Sequence, residues 1–110
     1  MNINTENKEK YTVIGLEGEV DLSCSPDARD SILSVLEENK NLLVDLAKVS
    51  YIDSSGVASL VEGYQTAKKQ LLKFGLVGVS DAAMSVLKLA RLDQVFPIFD
   101  SLEDYEKESN

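Results

Sequence analysis

Histidine is absent from this chain of 110 residues, and cysteine occurs once, at Cys24. Without histidine the chain has no Ser-His-Asp triad, no Cys-His dyad, no phosphohistidine relay and no histidine-ligated metal. A single cysteine forms neither an internal disulfide nor a thiolate cluster. We therefore interpret Cys24 as a small, partly buried residue, and we expect the protein to use no metal and no cofactor.

Long apolar runs are also missing. No segment approaches the roughly 20 consecutive apolar residues that a membrane-spanning helix needs. Residues 1–10 are polar and lack the apolar stretch of a secretory signal. The sequence therefore predicts a protein that does not insert into a membrane, and we expect it in the cytoplasm.

Positive charge is scarce, because 11 Lys and Arg residues stand against 19 Asp and Glu residues, for a formal net charge of −8. Binding to nucleic acid requires clustered basic side chains. The adjacent pair Lys68 and Lys69 is too small to form such a patch. Nucleic acid is therefore not an expected partner.

The composition that remains is typical of a folded domain, with 44% hydrophobic and 27% charged residues. A chain of this length is close to the commonest domain size. It buries about two-thirds of its unfolded surface on folding, so a core forms without disulfides. We predict a single domain over residues 1–110.

The hydrophobic pattern changes repeatedly between the period of a strand and that of a helix. Residues 11–17 alternate like a half-buried strand, and the apolar run 42–46 is typical of a strand covered on both faces. The predicted order is β-β-α-β-α-β-α-β-α, which implies an α/β fold with a mixed sheet. The predicted strands cover residues 3–5, 11–17, 42–46, 76–79 and 95–99.

Helix starts and ends are indicated by capping residues. The first helix is expected to open at Ser25, and the second to close at Gly75 in a left-handed cap. Ser80 is the expected cap of the third helix and Ser101 that of a short fourth helix. Leu89 lies off the inner face of the third helix, which leaves two interpretations open, core packing or a partner surface.

The Asp-Ser-Ser-Gly segment at residues 53–56 joins the buried strand to the second helix. In open α/β sheets, ligands and partners meet such loops at the carboxyl ends of the strands. The helix N-terminus offers free amides and partial positive charge, which favour a phosphate there. A phosphate on a serine would add about −1.5 to −2 charges beside Asp53. By spacing alone, a second interpretation stays open, in which these residues only cap the helix.

A Gly-Glu-Val-Asp motif at residues 18–21 follows the first long strand. The two motifs, in this order and at these places, resemble the STAS domain family, and within it the bacterial anti-sigma-factor antagonists. Those proteins read Gly-Glu-Leu-Asp or similar at the first motif and Asp-Ser-Ser-Gly or Asp-Ser-Thr-Gly at the second. The resemblance extends over residues 8–106. It departs at residues 56–58, where Gly-Val-Ala replaces the Gly-Leu-Gly of many antagonists.

This resemblance implies a partner-switching mechanism. The unphosphorylated antagonist binds an anti-sigma factor, which is also a serine kinase with a histidine-kinase-like ATPase fold, and the sigma factor is released. The kinase then phosphorylates the first serine of the second motif, here Ser54, and a serine phosphatase resets the switch. The implied partner-binding residues are Asp21, Asp53, Ser55 and Gly56. The protein is then a kinase substrate and not an enzyme, and is expected to be a monomer when free.

Other functions stay open at this point. A small STAS accessory subunit of a phospholipid-type ABC transporter shares the fold, although threonine often replaces the serine there, and a STAS scaffold in a larger signalling complex is another possibility. A response-regulator receiver phosphorylated on Asp53 needs a magnesium-binding acidic pair and a late lysine, which this chain lacks in the expected places. Nucleotide binding by the domain itself is poorly supported, because the chain has no glycine-rich phosphate loop. An enzyme of another type is also open, but the chain shows no recognisable pairing of a base with a nucleophile.

Overall fold

Within residues 1–109, the computed structural model contains a five-stranded sheet flanked by helices in the predicted order. The strands are β1 Asn2–Asn7, β2 Thr12–Val20, β3 Leu42–Ile52, β4 Phe74–Val77 and β5 Ile98–Phe99. The helices are α1 Ser25–Glu37, α2 Ser54–Lys69, α3 Asp81–Leu89 and α4 Leu102–Ser109, with a 3-10 turn at Leu92–Gln94.

The sheet is mixed, which confirms the predicted fold class. Its strands lie in the order β1-β2-β3-β4-β5. The first pair is antiparallel and the other pairs are parallel. Strand β5 forms an edge, as predicted, but it is shorter than the predicted strand 95–99, because residues 95–97 lie outside it and Pro97 directly precedes it. The carboxyl ends of β2 and β3 therefore lie side by side.

The main core fills the space between the sheet and the helices α1, α2 and α3. The inward side chains of β3, those of Leu42, Val44 and Leu46, are fully buried. The predicted apolar stripe of α1 is buried against them, namely Ala28, Ile32, Val35 and Leu36. A smaller cluster on the opposite face packs under α4 and comprises Tyr11, Val13, Leu43, Val77 and Tyr105.

The two central strands are longer than predicted. Residues 18–20 belong to β2 and residues 47–52 to β3, instead of forming connections. The pairing of these strands shifts register between Gly15 and Glu17 and again between Gly18 and Glu19. Each irregularity interrupts the two-residue alternation that identifies a strand in a sequence. The extensions carry both motifs to the same edge of the sheet.

The helix ends also differ in part from the prediction. Helix α2 ends at Lys69, the turn is made by Leu71 with φ of 61°, and Gly75 lies within β4. Ser25 is the buried first residue of α1 and not its cap. Ser80 is confirmed as the cap of α3, because its Oγ accepts a hydrogen bond from the Ala83 amide at 3.1 Å. No helix among the described residues is both long and apolar enough to cross a membrane.

Candidate partner-binding site

The two sequence motifs meet where β2 and β3 end. Val20 pairs with Ile52 in the parallel ladder, and the Asp53 amide donates to the Val20 carbonyl oxygen at 3.1 Å. The next residue after each strand, Asp21 after β2 and Asp53 after β3, therefore leaves the sheet at the same place. We call this region, residues 19–23 and 53–56, the carboxyl edge.

Asp53 organises the start of α2. Its Oδ1 accepts hydrogen bonds from the amides of Ser55 at 2.9 Å and Gly56 at 3.1 Å. The Ser55 hydroxyl donates to the same oxygen at 2.5 Å. Asp53 is therefore the N-cap that satisfies two of the free amides of the helix. The sequence predicted free amides at this helix end, and that prediction is wrong for the amides of Ser55 and Gly56, which are bound to Asp53.

Asp21 makes a turn of the same kind at the end of β2. Its Oδ1 accepts from the Ser23 amide at 3.0 Å and from the Ser23 hydroxyl at 2.5 Å. The chain thus repeats one arrangement, Asp-x-Ser, after two neighbouring strands. The central residue of each turn, Leu22 in one and Ser54 in the other, is exposed.

Both aspartates are held in the ionised state. The hydrogen bond from the Ser55 side chain lowers the pKa of Asp53 more than any other contact, and the Gly56, Ser55 and Leu22 amides lower it further. The hydrogen bonds from Ser23 lower the pKa of Asp21, while the nearby Asp53 charge raises it. The two carboxylates are thus close enough to repel each other, and the edge is negative at neutral pH.

Ser54 and Ser55 differ in accessibility. Ser54 is the exposed first residue of α2, and its hydroxyl has no hydrogen-bond partner within residues 1–109. Ser55 is half-buried and its hydroxyl is bound to Asp53. The accessible hydroxyl of the second motif is therefore that of Ser54.

Gly56 allows α2 to start directly against the sheet. A Cβ atom at this position would lie 2.7 Å from the Ile52 Cγ1 atom and 2.9 Å from the Val20 Cγ1 atom. Both distances are shorter than real contacts between carbon atoms. Only glycine fits here without a shift of the neighbouring side chains, and it lets the start of α2 pack against the strand ends that carry the two motifs.

Leu22 and Ser23 also belong to this edge, and neither was predicted there from the sequence. The repeated Asp-x-Ser spacing was the available signal, because the same turn chemistry follows both strands. Cys24 is half-buried, as expected, and its Sγ lies 3.3 Å from the Glu19 carbonyl oxygen. Within residues 1–109, no group of three His, Cys, Asp or Glu residues is arranged to hold a metal ion.

Comparison with known proteins assigns the family. The STAS domain profile matches residues 2–105, so the chain belongs to the STAS domain family. The chain is 28% identical over 100 residues to the anti-sigma-B factor antagonist of Bacillus subtilis, covering 89% of this chain and 92% of that protein. It is 30% identical over 107 residues to the anti-sigma-F factor antagonist RsfB of Mycobacterium tuberculosis, covering 94% and 85%.

A solved structure supports the same family. The fold matches the crystal structure of an anti-sigma factor antagonist from Mycobacterium paratuberculosis with a TM-score of 0.88 and 26% identity. The match covers 97% of this chain and 92% of that one. The resemblance drawn from the two motifs is thereby confirmed at the level of the family.

Proposed function

We propose that this protein is an anti-sigma-factor antagonist whose binding is switched off by phosphorylation of Ser54. The unphosphorylated form binds an anti-sigma factor that is also a serine kinase, and so releases a sigma factor. The observation that carries the proposal is the exposed, unengaged Ser54 hydroxyl at the start of α2, next to the helix-capping Asp53 and at the same edge as Asp21. The names of the curated relatives support the same function.

The proposed reaction makes this protein the substrate of the kinase. The Ser54 oxygen attacks the γ-phosphorus of ATP, ADP leaves, and the hydroxyl proton passes to a base of the kinase. Ser54 is favoured over Ser55 because the Ser55 hydroxyl is already donated to Asp53 at 2.5 Å. Phosphorylating Ser55 would require breaking this hydrogen bond and placing the phosphate against the Asp53 carboxylate. The antagonist itself performs no catalysis in this scheme.

The phosphate acts through charge at an interface. It adds about −1.5 to −2 charges beside Asp53 and Asp21, in a region without a basic residue between positions 19 and 23 or 53 and 56. The phosphate stays at a helix N-terminus, where negative charge is tolerated, so the fold is retained. Burying this doubly charged group in the interface costs its desolvation, and the group also fills space that the partner occupies in the complex. Binding is lost while the domain stays folded.

The switch is reversible in the cell. A serine phosphatase removes the phosphate and restores binding. The protein acts in the cytoplasm as a single STAS domain over residues 1–110 and is monomeric when free. The partner-binding residues are Asp21, Asp53, Ser55 and Gly56, which surround Ser54 at the carboxyl edge.

The test is a kinase assay with the purified anti-sigma factor of the source organism and Mg-ATP, read by intact mass and peptide mapping. We expect one phosphate on Ser54 and release of the complex. Ser54→Ala should bind the partner and accept no phosphate. Ser55→Ala tests the choice of serine and should still be phosphorylated on Ser54, even if its affinity for the partner falls. Phosphate on Ser55 alone would correct the site, whereas an unmodified wild type that does not bind the partner would overturn the function.

A further inference from the structure

Leu22 is a large apolar side chain placed in solvent at the centre of the carboxyl edge. It is 73% exposed, although its turn is fixed at both ends by the Asp21 and Ser23 hydrogen bonds. Its backbone amide faces the Asp53 carboxylate and helps to lower the pKa of that group. The turn thus presents Leu22 beside the start of α2, in a position analogous to that of Ser54 in the second turn.

The charged side chains in the loops at this end of the sheet are all carboxylates. The loops that leave the carboxyl ends of β2, β3, β4 and β5, residues 21–24, 53, 78–80 and 100–101, contain Asp21, Asp53 and Asp100 but no Lys or Arg. Exposed Glu19 extends the negative charge along β2. An apolar tip flanked by the carboxylates of Asp21 and Asp53 is complementary to a pocket that is apolar at its base and basic at its rim.

We infer that Leu22 is an apolar anchor of this protein, and that it inserts into an apolar pocket of the anti-sigma factor bordered by Lys or Arg side chains. The inference rests on the proposed function and adds the chemistry of the partner surface to it. It also explains how phosphorylation of Ser54 prevents the insertion of Leu22. A pocket that closes over Leu22 also covers the neighbouring start of α2, so a phosphate on Ser54 holds the anchor out of its pocket.

The chain offers a matched control for this anchor. Leu71 is 93% exposed in the turn after α2, at the opposite end of the sheet. Truncating either leucine removes the same side-chain atoms from solvent, so the two variants should unfold at nearly the wild-type temperature. Only one of the two positions lies at the carboxyl edge.

The experiment measures the Kd for the purified anti-sigma factor of the source organism by titration calorimetry. Leu22→Ala should weaken binding roughly tenfold, as expected of a central buried anchor. Leu71→Ala should stay within about twofold of wild type. Leu22→Met should keep most of the affinity because it keeps an apolar side chain of similar size. Leu22→Lys should bind more weakly than Leu22→Ala because the proposed rim is basic.

The outcomes separate the two levels of the proposal. If wild type binds and Leu22→Ala binds equally well, the anchor is wrong and the proposed function stands. If Leu22→Lys binds as well as wild type, the apolar pocket with a basic rim is wrong. If wild type does not bind the anti-sigma factor at all, the proposed function itself fails. Thermal unfolding of each variant confirms that a loss of binding is not a loss of fold.

Discussion

The two ends of the parallel strands are built for different tasks. At the carboxyl edge, Asp21 and Asp53 each close a turn and leave the central residue exposed. At the other end, the uncharged Asn41 joins three loops. Its Nδ2 donates to the Lys10 carbonyl oxygen at 3.4 Å, and its Oδ1 accepts from the Lys73 amide at 2.9 Å. The hydrogen bonds of the first end present groups to solvent, and those of the second tie the chain to itself.

The two ends of the sheet also differ in the charges that they carry. We call the loops at residues 8–11, 38–41 and 70–73 the amino edge. It mixes both signs, and ion pairs join Lys8 to Glu6 and Lys40 to Glu38 at 2.5 and 3.0 Å. The charged side chains of the carboxyl edge, residues 19–23 and 53–56, are carboxylates alone. Opposite charges of the amino edge pair with each other, whereas charges of one sign remain available to a partner. Binding is therefore expected at the carboxyl edge, and substitutions at the amino edge should leave the affinity for the partner unchanged.

The largest effect is expected from a charge at Ser54. Ser54→Asp should weaken binding to the anti-sigma factor about a hundredfold, which corresponds to about 2.7 kcal/mol, because the larger carboxylate must lose its hydration where the partner packs against the start of α2. The fold should be unaffected, since acidic residues are favourable in the first turn of a helix. Calorimetric titration measures the affinity, and thermal unfolding the stability.

Gln65→Glu is the control for this charge. Gln65 is exposed on the same helix, about three turns further on, and the change adds one negative charge with almost no change of shape. Binding should stay close to that of wild type. An equal loss in both variants would mean that net charge, and not the carboxyl edge, governs the interaction.

The next effect concerns the packing beneath the carboxyl edge. Gly56→Ala should lower the free energy of unfolding by about 1–3 kcal/mol, because the new Cβ atom overlaps Ile52 and Val20. Urea unfolding measures the loss. Gly15→Ala is the control, because its Cβ atom would meet only the Asn4 Cβ atom at an ordinary 3.8 Å. Equal stability of the two variants would show that α2 can move away from the sheet without cost.

The sequence predicted most of the architecture, and the errors have physical causes. Element order follows from hydrophobic period and capping residues, so Ser80 and the buried stripe of α1 were identified correctly. The extensions of β2 and β3 were missed because the register shifts near Gly15 and Gly18 break the alternation. The end of α2 was misplaced because Leu71, a non-glycine residue, adopts the left-handed conformation.

Some residues of the candidate site were likewise predicted from the sequence, and others were not. Local patterns predicted Asp53 as a helix-capping residue and the resemblance to a family predicted Ser54 as the modified residue. Neither indicated that Leu22 is exposed, since a leucine beside a strand is ordinarily expected in the core. Its exposure depends on the Asp21 turn, which becomes visible only when the end of β2 is placed.

A smaller effect is expected at the amino edge. Asn41→Ala removes both side-chain hydrogen bonds between the loops, and should lower the free energy of unfolding by about 1–2 kcal/mol. Affinity for the anti-sigma factor should not change. The control is Asn2→Ala, at an exposed position near the chain start, for which no loss of stability is expected. A weakened affinity in Asn41→Ala would remove the functional distinction between the two edges.

The smallest effect is a pH dependence of stability that belongs to the carboxyl edge. Folding lowers the pKa values of Asp21 and Asp53 through the hydrogen bonds of Ser23 and Ser55. The stability that the two carboxylates contribute is therefore fully present above their unfolded pKa of about 3.9 and is lost as the pH falls through the folded values. Asp53→Asn keeps a capping side chain without a titrating group, so the decline of unfolding temperature below pH ~4 should become shallower. Asp93→Asn, which leaves both hydrogen-bonded carboxylates in place, should reproduce the wild-type decline, and an identical change in both variants would mean that the acid sensitivity does not arise from these two turns.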